Sequence, residues 1–144
     1  MRKLVTAGNL AGLVGLVFVL LGLAGFLPGL VQEYDELHWW RNASGAELFG
    51  VFQTSILLNL LHLGFGAAGL VAARSESTAR VYVGGGGVLC FALGIHGLLI
   101  DRLGDSNIVP LDRADVWLHV GIGVAMVHAG LAAALTGLRP AAAS

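Results

Sequence analysis

Charge is scarce in this sequence, and so are the residues that would staple a small secreted domain. Asp, Glu, Lys and Arg make up 12% of the 144 residues against 56% hydrophobic, and a soluble fold of this size could not hide that much apolar surface. A single cysteine, Cys90, excludes an internal disulfide and any multi-cysteine metal or iron–sulfur site. It lies inside an apolar run and reads as a buried, inert thiol. No run of lysine and arginine is longer than Arg2-Lys3, and the net charge is -1. That excludes the electrostatic footprint of a nucleic-acid binder and the polybasic patch of a lipid sensor. The length suits one domain.

What the chain does have is four stretches free of charged residues, at 4–32, 48–73, 81–100 and 116–138. Each can hold a spanning helix, which needs roughly 20 residues at about 1.5 Å rise to cross about 30 Å of hydrocarbon. A strand reading fails for want of alternation, and irregular backbone facing lipid would leave polar groups unpaired. The expected fold is therefore all-α, an integral membrane bundle of four transmembrane helices in a single domain, with spans near 7–28, 47–72, 80–101 and 114–137. The first apolar run resembles a secretory signal after Arg2 and Lys3 but is too long and lacks a small-x-small cleavage site. Pro28 and Gly29 are expected to end its helix.

The connecting segments set an orientation. With the N-terminus inside, Arg2, Lys3, Arg74, Arg80 and Arg139 lie on the cytoplasmic side and Arg41, Arg102 and Arg113 on the other, which agrees with the positive-inside rule. Every acid except Glu76 falls outside, giving net charges of -5 outside and +4 inside. Tyr34, Trp39, Trp40 and Trp117 fall near the outer boundary and Tyr82 near the inner one, where amphipathic rings anchor. Localisation in a cell membrane, with several passes and both termini cytoplasmic, follows.

Helix starts carry local signals. Ser44-Gly-Ala-Glu47 has the spacing of a capping box, which would start the second helix there. Asp112 and Asp115 share that spacing and place negative charge on the positive end of the fourth helix. Ser77 or Thr78 can cap the third, and Asp101 with Arg102 closes it.

On the second helix Ser55, Asn59, His62, Gly66 and Gly69 recur at steps of four, three, four and three, so they share one face. Asn and His are costly against lipid, and the stripe is expected to turn inward as interhelical bonding. A polar site lined by Ser55, Asn59 and His62, with Asp115 and His119 one turn apart on the fourth helix, is the alternative. The Asp115 and His119 pair would brace the helix end or relay a proton. Five histidines raise haem or another metal. Counted along the expected spans, His62 and His128 lie near mid-membrane and His96 and His119 nearer the outer surface. His119 and His128 stand on opposite faces of one helix, and no H-x-x-x-H or Glu-x-x-His pair sets two ligands on one face. No cofactor is therefore expected, with histidine-ligated haem on His62 and either His96 or His119 as the competing idea. Gly84 to Gly87 lacks the strand and Lys-Ser/Thr of a phosphate loop and reads as close packing or a weak, bendable turn. No nucleophile, base and orienter assemble, so no enzyme is expected.

Three blocks, Ser44-Gly-Ala-Glu-Leu-Phe-Gly-Val-Phe-Gln53, Asn59-Leu-Leu-His-Leu-Gly-Phe-Gly-Ala-Ala-Gly69 and Val109-Pro-Leu-Asp-Arg-Ala-Asp-Val-Trp-Leu-His119, resemble the bacterial family called domain of unknown function 4383. The resemblance covers nearly the whole chain, including Phe26-Leu-Pro-Gly29 and Gly97-Leu-Leu-Ile-Asp101. It implies a four-helix inner-membrane protein and no reaction. Glu47, Asn59, His62, Asp101, Asp115, Trp117 and His119 fall on positions the family pattern features, while Val116, His96 and His128 depart from it. The functional expectation is a non-enzymatic accessory or scaffolding subunit. The alternative is a small oligomeric transporter or proton conductor. Expected partners are the lipid bilayer and either a second copy of the chain or another membrane protein, and no nucleic acid.

Overall fold

The structure is a computed structural model that describes residues 6–40, 44–100, 109 and 111–137, with side chains through 134. Four helices dominate: α1 (Ala7–Ala24), α2 (Ile56–Ala72), α3 (Glu76–Leu99) and α4 (Arg113–Gly137). Between α1 and α2 the chain builds a folded cap. Three two-residue strands, β1 (Val31–Gln32), β2 (Glu47–Leu48) and β3 (Phe52–Gln53), form an antiparallel sheet in that order, with a single 3₁₀ turn over Tyr34–Glu36. The fold is thus the all-α membrane bundle expected from the four apolar runs, with one small sheet added.

Three helices, Ala7–Ala24, Glu76–Leu99 and Arg113–Ala134, are long and apolar enough to cross a membrane. α2 is shorter, at 17 residues, near the lower limit of about 17 to 25 for a span. The burial pattern fits lipid as the surrounding medium. In α1 the residues turned inward are mostly small, Ala7, Ala11, Gly15 and Gly22 beside one Phe18, while Leu13, Leu16, Val17, Leu20 and Leu23 face out. Helices that associate in lipid gain little by hiding large side chains and much by letting backbones approach.

Tight pairing of α1 with α2 follows from that. A Cβ on Gly15 would sit 2.7 Å from the Gly66 carbonyl oxygen, and one on Gly66 would sit 2.6 Å from that of Gly15, so the two backbones touch. α3 and α4 pair as closely, with Gly87 against Met126 and Val127. At the end away from the cap the two hairpins share a core of Ala7, Ala11, Ala79, Val83 and Met126. Glu76 ties this end together, accepting hydrogen bonds from the amides of Ala7 and Gly8, both at 3.1 Å, while heading α3 itself. One carboxylate thereby serves the positive ends of two helices.

Several local expectations are corrected. Ser44 and Glu47 do not cap α2, which starts at Ile56, nine residues beyond Glu47. Ser44 is fully buried in the cap, where its hydroxyl donates to the Thr54 carbonyl at 2.5 Å and its own carbonyl accepts from Gln53 Nε2 at 2.7 Å. Glu47 lies in β2, exposed. The three-residue turn after it, Phe49 to Val51, takes left-handed backbone at Phe49 and at Gly50 (φ 57° and 68°), so the chain reverses where a helix would have continued. The true cap of α2 is Ser55, whose Oγ accepts from Leu58 N at 3.1 Å. Carbonyls of His38 and Trp39 take the amides of Ile56 and Leu57, at 3.0 and 2.9 Å, satisfying donors that a helix start leaves open.

α1 ends at Ala24 with Gly25 as its cap, before Pro28. α3 begins at Glu76, ahead of both Ser77 and Thr78, and Thr78 instead donates back to the Ala72 carbonyl at 2.9 Å. Tyr82 is no boundary anchor: it lies partly buried, with its hydroxyl donating to the Phe65 carbonyl at 3.1 Å. Trp39, Trp40 and Trp117 are all exposed. The closing role given to Asp101 and Arg102 lies outside the described residues.

Candidate functional site

The reciprocal cap expected at residue 44 is found at the start of α4. Asp112 Oδ1 accepts from Asp115 N at 2.8 Å, and Asp115 Oδ2 accepts from Asp112 N at 3.3 Å. The spacing of three is that of a capping box, with aspartate in both roles. Asp115 is 3% exposed, yet its carboxylate is held by this exchange and makes no carboxylate–imidazole pair with His119. What His119 meets is the backbone: its Nδ1 lies 2.8 Å from the Asp115 carbonyl oxygen. A carbonyl only accepts, so Nδ1 is the donor and carries the proton.

Asn59 joins three elements. Its Nδ2 donates to the Gly25 carbonyl at 2.7 Å, which quenches one of the open acceptors at the end of α1. Its Oδ1 accepts from the Thr54 hydroxyl at 2.7 Å, linking α2 to the cap. Gly25 makes this approach feasible, because a Cβ there would overlap the Asn59 amide.

His62 is treated differently by its surroundings. Its ring sits edge-on to Phe18 with centroids 5.4 Å apart, and near-parallel to His119, with centroids 6.2 Å apart and planes 21° from parallel. Its Nδ1 is buried and has no hydrogen-bond partner among the described residues. The late start of α2 explains why the two histidines meet. Each lies six residues into its helix, about 9 Å from the helix start by rise, so His62 stands at the level of His119 and not a tier deeper. His96 and His128, by contrast, are exposed, and His128 bonds only to the carbonyl one turn back. Of the histidine pairs weighed for a haem, only His62 with His119 is brought together. Among the described residues no group of three or more His, Cys, Asp or Glu could hold a metal ion.

Two cavities meet at His62. A nook of about 20 Å³ is lined by Thr54, Asn59, His62 and Asp115 among others, room for a single water and no more. A much larger cavity of about 450 Å³ lies between α2 and α3 in the cap half of the bundle, lined by Phe18, Leu61, Leu89, Cys90 and other apolar residues, with His62 and His119 its only imidazoles. Below it, toward the other end, Tyr82 and Gly86 of α3 close on Phe65. Of the five residues expected to form a polar site, Asn59, His62 and Asp115 thus share the nook, and His119 joins His62 at the larger cavity. Ser55 stands apart as a helix cap. Sequence reading missed the linking role of Thr54; its place directly before Ser55, five residues from Asn59, is the signal that could have raised it.

The fold and this interior define a helical membrane protein with Asn59, His62, Asp115 and His119 brought together in the cap half of the bundle. More particularly, the family model described as Domain of unknown function (DUF4383) matches residues 9–132, and the chain belongs to that family. No curated protein and no solved structure matches the chain.

Proposed function

We propose that the chain is a non-enzymatic accessory or scaffolding subunit of a bacterial inner membrane, crossing it four times with both termini cytoplasmic and the cap outside. The observation that carries this reading is the fate of the polar side chains. Ser55, Asn59 and Asp115 are all engaged in holding helix ends and the cap together, and His119 is anchored to the α4 backbone through Nδ1. Groups fixed in this way brace a scaffold and are poorly placed to cycle protons or attack a substrate. The orientation rests on the basic and acidic asymmetry of the connecting segments.

The surface this reading offers to a protein partner is the cap. It exposes Trp39, Trp40, Phe49 and Val51 beside Glu33, Asp35, Glu36 and Glu47, and aromatic side chains near water are favoured at interfaces. A photoreactive amino acid at Phe49 should trap one discrete second polypeptide in native membranes, whether another protein or a second copy. The same probe at Leu13, on the lipid-facing side of α1, should trap lipid only. Equal labelling from both positions would sink the proposal. No cofactor belongs to this reading, and a Soret band in protein purified in mild detergent would overturn that part of it.

The close approach of His62 and His119 favours one competing reading, an oligomeric proton conductor or transporter. Reconstituted in liposomes, wild-type protein and His62→Leu should show the same ion flux as empty vesicles. Flux present in the wild type and lost in the variant would replace the accessory reading with this one.

A further inference from the structure

We infer that the cavity between α2 and α3 is a binding site for an uncharged lipid bearing a hydroxyl group, with the hydroxyl seated between His62 and His119 and the tail leaving between the helices. This goes beyond the accessory reading and does not depend on it. Its volume of about 450 Å³ falls within the range of about 300 to 1,000 Å³ for small-molecule sites, whose walls are mostly apolar with a few placed polar groups. A partner helix, roughly 10 Å across with its side chains, does not fit such a space. Among the described residues no charged side chain lines it, so a phosphate or carboxylate head would be buried there without a counter-charge, at heavy cost.

The head-group chemistry follows from the two rings. His119 Nδ1 donates to the Asp115 carbonyl, which leaves Nε2 of the neutral ring as an acceptor in need of a donor. A ketone, ester or ether oxygen cannot supply one, whereas a hydroxyl can. The same hydroxyl oxygen can accept, which suits the neighbouring imidazole of His62, whose ring also lines the cavity. The tail's route is marked by Leu60, Leu61 and Leu89, which line the cavity while being exposed on the outside of the bundle. The rings stand about 9 Å from the helix starts, the depth of a lipid whose small head sits just below the interface.

The test uses the full chain in lipid nanodiscs and a diazirine-tagged farnesol as probe. Saturable labelling of α2 and α3 at the cavity is expected, competed by unlabelled farnesol and about tenfold less well by farnesyl methyl ether, which lacks the donor proton. His119→Phe should weaken labelling by about tenfold as well. Leu61→Trp, which narrows the mouth and leaves both histidines in place, should block labelling with an unchanged melting temperature, so a folding defect in the first variant cannot decide the matter. Equal competition by alcohol and ether, or labelling that survives Leu61→Trp, would overturn the proposal. So would labelling spread evenly over the lipid-facing side of α1.

Discussion

Where α2 meets α1, glycine faces glycine: Gly66 lies on Gly15 with no room for a methyl group, and Asn59 places both ends of its amide on partners. Where the same helix faces α3 near the cap, one turn along from Asn59, the walls stand apart around a cavity and His62 holds a ring nitrogen with no partner among the described residues. In lipid neither arrangement arises from the exclusion of water alone. Close backbone contact and satisfied amides hold the first seam, and a buried polar atom left open is the feature by which the second differs from ordinary packing. The two seams teach that a polar residue inside a membrane bundle is classified by whether its bonds are closed, not by its identity or its position on a helical wheel.

The contrast should break most visibly at Gly66. Gly66→Val would force the α1 and α2 backbones apart and is expected to lower the unfolding free energy by about 3 kcal/mol, read by denaturant titration in mixed micelles. A loss near zero would mean the backbones are not in contact. Next in size is Asn59→Leu, which strands the Gly25 carbonyl and the Thr54 hydroxyl; the expected loss is about 2 kcal/mol. Combined with Thr54→Val it should cost clearly less than the sum of the two single losses, since the pair shares one hydrogen bond, and strict additivity would refute that link. The smallest effect should come from Gly64→Ala, two residues from Gly66 but with nothing within 4 Å of the added carbon. A change under about 0.5 kcal/mol is expected there, and a large loss would show that the cavity side of α2 is packed after all.

Much of this was legible in the residues. Four uncharged runs gave four helices because lipid permits little else, and of the expected stripe Asn59, Gly66 and Gly69 are buried in α2, while Ser55 precedes the helix as its cap. The aspartates at 112 and 115 announced the start of α4 correctly, since a capping box involves only neighbours in the chain. The identical spacing at Ser44 and Glu47 misled for the complementary reason. Contacts from Ser44 to Thr54 and from the carbonyls of His38 and Trp39 to α2 outweigh the local preference, and no local pattern reports them. Gly50, interrupting the apolar run Leu48 to Phe52, was the available hint of a turn. Misplacing the start of α2 then misplaced His62 in depth, which is why its meeting with His119 could not be read. Glu76 was equally opaque, because its partners Ala7 and Gly8 lie 69 and 68 residues away in sequence.

That carboxylate also bears on how the bundle is assembled. Synthesis delivers residue 76 immediately after α2 and ahead of the bulk of α3, so the group that clasps the free amides of α1 arrives while only the first hairpin and its cap have emerged. The amino-terminal half can be locked shut before the last two helices enter the bilayer, and those then dock against a platform already finished.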